Sequence, residues 1–296
     1  MNRKFQFVTL ALAALLTFCA VSTWPGVRGF RFGILSKSHG NVESGRGIQQ
    51  EPARGADAQS DVTSCAYTFT SGSAQTYMKY CVTVNGNIVQ FQSPLGVEDI
   101  KSATSSEGYG LCTDGGSNSY WDWAGAGAKN WGPATLLTQT ATEVKIARTT
   151  TDRIWTLTQT IMQVSGGPYA KIEMQLKNDT DVSQEGGFFM RWADVNADNS
   201  TINNLDATTI SAWGYRPFMA GSSYLPYGLL LQNFGVNTNE SAGYALDTNQ
   251  PPEVCEPGLT STGTLTATDG SIMMLYVFPP VPKNQTATFN VKYAAF

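Results

Sequence analysis

The chain has 296 residues, 42% of them hydrophobic, 14% charged and 11% aromatic, enough apolar surface for a packed core. Residues 1–62 carry a net charge of +3 and residues 63–296 a net of −7, which argues against nucleic acid as a partner of the main part and favours cations. The one histidine, His39, precedes residue 63, so Ser-His-Asp, Cys-His and histidine-zinc chemistry are excluded for 63–296, as are histidine-dependent sugar epimerases built on large sandwiches.

Residues 1–22, MNRKFQFVTLALAALLTFCAVS, read as a signal peptide: Arg3 and Lys4, an apolar stretch from Phe5 to Val21, then small residues at Ala20 and Ser22. The competing reading is an uncleaved membrane anchor, because the apolar stretch nearly reaches spanning length. Phe18 before Cys19 argues against a lipoprotein site. Residues 23–62 are rich in Gly, Ser, Arg and Gln and read as a flexible linker or pro-segment. The protein is therefore expected outside the cytoplasm: secreted, periplasmic or on the cell surface.

From residue 63 onward the elements read as strands. CAYTFTSGSAQTYMKYC is a strand, a Ser-Gly-Ser turn and a strand, so Cys65 and Cys81 are expected to pair across a hairpin. Cys112 and Cys255 are then left to each other, and an exported chain favours both disulfides. Asn85-Gly86, between YMKYCVTV and NIVQFQ, predicts a second hairpin with a two-residue turn.

The segment SYWDWAGAGAKNWGP, residues 119–133, holds Tyr120, Trp121, Asp122, Trp123 and Trp131 in a Gly-rich, irregular-looking run. Rings beside polar groups suit a sugar, whose C–H face stacks while hydroxyls bond to side chains. Trp121 and Trp123 share a face if the run is extended. The plainer alternative is a loop whose tryptophans cap the core.

Residues 143–177 break into VKIARTT, RIWTLTQTIMQV and YAKIEMQLK at Thr-Asp and Ser-Gly-Gly-Pro. Trp155, Leu157, Gln159 and Ile161 alternate with Ile154, Thr156, Thr158 and Thr160, the pattern of an antiparallel meander with one buried face.

FFMRWADVNADNSTINNLD follows. Asp194, Asn196, Asp198 and Ser200 place oxygen donors at alternate positions, the spacing with which a turn wraps a hard cation; Asn203 and Asp206 could complete the shell. This short stretch resembles the start of an EF-hand or dockerin loop, which implies calcium as the candidate cofactor. It departs from that pattern at Asn199, where the loop needs Gly, and at Leu205, where it needs an acid. The alternative is an ordinary polar connection.

TTISAWGY, YGLLLQNF, GTLTATD, SIMMLYVF and TATFNVKYAAF complete the strands. Phe289, Val291, Tyr293 and Ala295 make the last one a half-buried soluble strand, not a lipid-facing barrel strand. No amphipathic helix or repeat interrupts the pattern. The expected fold is an all-β, large antiparallel β-sandwich of two packed sheets with meander and hairpin connections, one domain over 63–296.

Two further features bear on function. Glu107, Asp114 and Asp122 lie near the aromatic run, and a Cys112–Cys255 bond would bring Glu253 and Glu256 toward it, giving candidate acid pairs for glycoside chemistry. Four Asn-x-Ser/Thr sites occur, at Asn178, Asn199, Asn239 and Asn284. The functional expectations are a non-catalytic glycan-binding protein, a carboxylate-dependent carbohydrate-active enzyme, or a structural or adhesive domain stiffened by calcium.

Overall fold

A computed structural model describes residues 63–100, 106–164, 167–217, 227–235, 239–256 and 263–296. The stretches read above as a signal peptide and a linker, with Cys19 and His39, lie outside these residues.

The strands, in chain order, are β1 (Tyr67–Ser71), β2 (Met78–Val82), β3 (Ile88–Gln92), β4 (Glu98–Ile100), β5 (Glu107–Thr113), β6 (Asn118–Trp123), β7 (Gly127–Lys129), β8 (Thr135–Gln139), β9 (Glu143–Thr149) and β10 (Trp155–Gln163). They continue as β11 (Tyr169–Asn178), β12 (Gly187–Asp194), β13 (Asn203–Ala207), β14 (Ser211–Tyr215), β15 (Gly228–Asn233), β16 (Glu240–Leu246), β17 (Leu265–Thr268), β18 (Ser271–Phe278) and β19 (Thr286–Ala295). Among the described residues the helical structure is limited to single 3₁₀ turns, and no helix is long and apolar enough to cross a membrane.

The fold is an all-β antiparallel sandwich, as the alternation predicts. Two large sheets carry it: β17-β13-β14-β15-β19-β11-β10-β9-β8 and β16-β18-β12-β5-β6-β7. A third sheet, β1-β2-β3-β4, departs from the expected two. Its Tyr80, Ile88, Phe91 and Ile100 join the same core as Phe189 and Tyr276 of the second large sheet and Leu157, Met174 and Tyr293 of the first.

The meander β9-β10-β11 has the expected register, with Leu157 opposite Leu176 and Ile161 opposite Ile172, and β19 extends it by pairing Ile172 with Val291. Trp155, Leu157, Gln159 and Ile161 are all buried, whereas Thr156 and Thr158 are partly exposed. Gln159 is the one polar member of the buried set, and its position is central to the site below.

Both disulfides form as expected, Cys65–Cys81 and Cys112–Cys255. The first differs in register. Thr68, not Cys65, lies opposite Cys81 in the β1–β2 ladder, so Cys65 reaches its partner from the chain just before the strand.

The Asn85-Gly86 turn also differs. Thr83 donates its amide to Asn87 O at 2.9 Å and Gly86 donates to Thr83 O at 3.1 Å, so the loop has three residues closed by a glycine at φ 90°. The extra residue turns the tip so that Asn85, Gly86 and Asn87 are all buried while Val84 faces out.

The aromatic run is a correction of kind. Residues 118–129 are not irregular but form the β6–β7 hairpin, and β6 pairs with β5. β5 escapes a propensity reading because its sequence, EGYGLCT, has Gly108 and Gly110 between apolar residues. Gly110 makes room for the chain pinned by Cys255: a Cβ there would stand 2.9 Å from Val254.

Candidate functional site: a polar centre closed by a hairpin tip

Alternation on five strands turns five chain-distant polar residues inward. Arg148 follows Val144 and Ile146 on β9. Gln159 lies between Leu157 and Ile161 on β10, Arg191 between Phe189 and Ala193 on β12, Glu107 beside Tyr109 on β5, and Asp122 beside Tyr120 on β6. All five are at most 3% exposed.

They form two linked ion pairs. Arg191 grips Glu107 with two nitrogens, Nε to Oε1 and Nη2 to Oε2, the latter at 2.8 Å. Tyr293 donates its hydroxyl to Glu107 Oε1 at 2.6 Å. Arg148 pairs with Asp122 and also donates to Tyr109 Oη at 2.8 Å and to Gly132 O at 3.0 Å. The guanidinium of Arg191 stands over the Tyr109 ring, 5.6 Å from its centroid, and that of Arg148 over Trp131 at 5.9 Å.

The tip of the β2–β3 hairpin fills the space between the pairs. Ile88 donates its amide to Glu107 Oε2 at 2.7 Å. Asn85 and Asn87 donate their side-chain amides to the two oxygens of Asp122, at 2.9 and 2.6 Å. Asn85 O accepts from Tyr109 Oη at 3.0 Å and from Gln159 Nε2 at 3.1 Å, and Gly86 O accepts from Arg191 Nη2 at 3.0 Å. Arg191 Nη1 in turn donates to Gln159 Oε1 at 2.6 Å. Gly86 is required where it stands: a Cβ would lie 2.4 Å from Gln159 Nε2, at a φ that L-residues avoid.

Burial pushes the Glu107 carboxyl above the ordinary range, and Arg191, Tyr293 and the Ile88 amide pull it part of the way back. Asp122 behaves alike, raised by burial and restrained by Arg148, Asn87 and Asn85. Each carboxylate is neutralised and each of its oxygens is hydrogen-bonded, the condition under which a buried ion pair persists.

Of the aromatic-run residues, Tyr120, Asp122, Trp123 and Trp131 are buried, and Trp121 alone is partly exposed. Tyr120 and Trp131 pack in the main core, with Tyr120 Oη donating to Asp152 at 2.6 Å. Trp121 and Trp123 share the outer face of the β16-β18-β12-β5-β6-β7 sheet, as an extended reading of the run requires. Their rings are 6.4 Å apart and inclined by 14°, and Trp123 meets Trp192 edge-on. Phe188 and Tyr244 are also partly exposed on this face, which is closed beneath by Met190, Met273 and Leu275.

Among the other candidate acids, Asp114, Glu253 and Glu256 are exposed while Glu107 and Asp122 belong to the polar centre. Of the acids singled out in the sequence, the two that are buried beside the aromatic run are thus the two tied by arginines.

The proposed metal residues are divided among three local structures. β12 ends at Asp194, a 3₁₀ turn spans Ala197–Asn199, and β13 begins at Asn203. Asp194 and Asn196 are buried at 7% and 5% exposure. Asp198 pairs with Arg216, Ser200 donates to Ile202 O at 2.8 Å, and Asp206 Oδ1 accepts the Ala207 amide at 2.8 Å. Among the described residues no three acidic, histidine or cysteine side chains gather as a metal site, so Asp194, Asp198 and Asp206 do not share one. Entry into β13 carries Asp206 into the sheet, opposite Trp213.

The sequence reading found Asp122 and Glu107 but not Arg148, Gln159 or Arg191. The signal was present: Gln159 and Arg191 each lie between core-forming neighbours at ±2, and Arg148 continues the parity of Val144 and Ile146.

No protein-family model matches the sequence, and no curated protein does. Solved structures do align. A putative aldose 1-epimerase from Escherichia coli K12 aligns over 78% of this chain and 99% of its own, at 7% identity and TM-score 0.45. A bacterial glucoamylase complexed with acarbose aligns over 82% of this chain and 34% of its own, at 11% identity and TM-score 0.41. A galactose mutarotase related enzyme from Lactobacillus acidophilus aligns over 78% and 97%, at 6% identity and TM-score 0.37.

Proposed function

We propose that the protein is an exported, disulfide-stabilised, non-catalytic β-sandwich that binds a glycan on the outer face of the β16-β18-β12-β5-β6-β7 sheet, where Trp121 lies over Trp123. The carrying observation is the division of labour between the two sides of β6. On the inner side Asp122, with Glu107 beside it on β5, has every carboxylate oxygen committed to an arginine, a tyrosine or the hairpin tip. A general acid or nucleophile needs an oxygen free to reach the substrate. On the outer side, the partly exposed Trp121 ring is held nearly parallel to a buried ring, which fixes its orientation before any ligand arrives.

The acidic 63–296 part, the two disulfides and the leader-like residues 1–22 support a secreted, periplasmic or cell-surface location.

The test is retention on immobilised polysaccharides. Wild-type protein is expected to be retarded by at least one neutral polysaccharide, and Trp121→Ala to lose the retardation with its melting temperature nearly unchanged. Retention that survives Trp121→Ala would move the ligand elsewhere. Hydrolysis of any retained polysaccharide, lost in Glu107→Gln or Asp122→Asn, would favour the enzyme reading instead.

A further inference from the structure

β8 is an open edge of the nine-stranded sheet. It pairs with β9 on one side and with no described strand on the other. All five of its residues, Thr135–Gln139, are exposed, a pattern that no other strand of the fold has. Leu136 and Leu137 are 47% and 50% exposed. Leu136 stands opposite Ile146 of β9, so the two side chains share a face of the sheet, yet Ile146 is 1% exposed. The sheet therefore runs one strand beyond the core that covers its inner face.

An edge strand presents unpaired N–H and C=O groups to any other strand, and proteins blunt such edges with charge, proline, short strands or a covering segment. The other edges of this fold are blunted. β4 is three residues long and accepts the Asn196 main-chain amide on Asp99 O. β7 is three residues long and ends in Lys129. β16 begins at Glu240, and its Gly243 amide is taken by Thr208 O. β17 has four residues, and Asn204 Oδ1 holds its Ala267 amide. β1 buries Phe69 and has only threonines at its exposed positions.

β8 holds neither charge nor proline. Its one irregularity is a bulge at Leu137, where the ladder to β9 slips by one residue. The extra residue is itself a half-exposed leucine, so the bulge adds apolar surface to the edge.

We propose that β8 is a homodimer interface, pairing antiparallel with β8 of a second copy about a two-fold axis and joining the two nine-stranded sheets edge to edge. A second copy fits this edge better than an extended peptide does. A peptide added to an edge takes its specificity from pockets beside the strand, and a strand exposed at every residue offers none. A second copy also arrives with its strand already formed, which spares association the ordering of a flexible segment. Charge points the same way. Residues 63–296 carry a net of −7, so two copies repel over most approaches. The run from Pro133 to Thr142, PATLLTQTAT, has no charged residue. Self-pairing there sets Thr, Leu and Gln against one another, and no like charges meet. A single strand pair is a small interface, so the association is weak and depends on concentration.

The experiment is sedimentation of the full oxidised chain over a range of concentrations. The variants are Leu136→Lys with Leu137→Lys and, as a control at exposed apolar residues elsewhere, Val182→Lys with Ile210→Lys. Wild type and control are expected to pass from monomer to dimer and no further. The dimer should strengthen with salt, which screens the repulsion between acidic domains. The β8 variant should remain monomeric, with the melting temperature of dilute wild type, because both leucines are exposed. Hydrogen exchange gives the matching local readout: amides of residues 135–139 should slow as wild-type dimer forms and not in the variant. A wild-type chain that stays monomeric up to about 1 mM overturns the proposal. So does a dimer that survives the lysine pair, which would place the contact on residues 1–62 or on the Trp121 face.

Discussion

The main-chain amide of Ile88 donates to Glu107 Oε2 at 2.7 Å. That bond ties a hairpin tip of the small sheet to a carboxylate of one large sheet, while Tyr293 from the other large sheet donates to the same carboxylate. One side chain thus joins all three sheets. The polar centre is the place where the sheets are registered against each other, and its chemistry is spent on that registration.

Breaking one ion pair should therefore cost more than its charges suggest. Arg191→Met leaves Glu107 buried without its cation and should destabilise by about 3–5 kcal/mol. The double variant Arg191→Met with Glu107→Gln removes the stranded charge and should recover part of the loss. Denaturant unfolding of the double variant and of both single variants checks this. A double variant as unstable as the sum of its parts would show that the pair is not coupled.

The two tryptophans on the outer face should separate cleanly. Trp123, 4% exposed against Trp192, is core, and Trp123→Ala should cost about 3–5 kcal/mol. Trp121→Ala loses a stacked but partly exposed ring and should cost about 1 kcal/mol. Equal losses would place both rings in the core and remove the proposed glycan platform.

Asp194 predicts a pH dependence. Burial, reinforced by Asp269, pushes its carboxyl up to about 7, whereas the unfolded group titrates near 4. The native state therefore holds the proton more tightly. Its contribution to stability is present in full below about pH 4 and is lost as pH rises toward about 7. With chelator present, the melting-temperature advantage of Asp194→Asn over wild type should be larger at pH 8 than at pH 4. An advantage independent of pH would contradict the assignment.

The Cys112–Cys255 bond spans 143 residues and pins the segment carrying Val254 onto Gly110. On the chain-entropy estimate its loss costs about 5 kcal/mol. Cys112→Ala with Cys255→Ala should lower the denaturant midpoint accordingly, and the Trp121–Trp123 face, packed beside Cys255, should loosen first by tryptophan fluorescence. A midpoint within error of wild type would mean that the covering segment is held by packing alone.

Strands with strict alternation were legible in the sequence: β9, β10, β11 and β19 stand where their apolar periods put them, and β18 was legible as a continuous apolar run. β5 and β16 were not, because Gly108, Gly110 and Gly243 replace the branched residues that usually mark a strand. Their reason is tertiary. Each glycine receives a neighbour that a side chain would displace, as Gly243 does the Ser211 carbonyl, 2.1 Å from where its Cβ would stand. The polar centre was half legible. Glu107 and Asp122 drew attention as acids near aromatics, but Arg148, Gln159 and Arg191 declare themselves only when their parity on a buried face is followed. The hairpin tip was hidden for a different reason. Asn-Gly announces a turn, and turns are expected at the surface; nothing local shows that this one ends between two sheets, with Arg191, Tyr109 and Gln159 waiting for its carbonyls.

The most direct measurement is native-state hydrogen exchange at the Ile88 amide. If the hairpin tip is a permanent part of the core, this amide should exchange only through global unfolding, with the same protection as the central amides of β11. Exchange within minutes at neutral pH, while β11 stays protected, would mean that the tip leaves the polar centre in the native state and that Glu107 and Asp122 become open to a ligand.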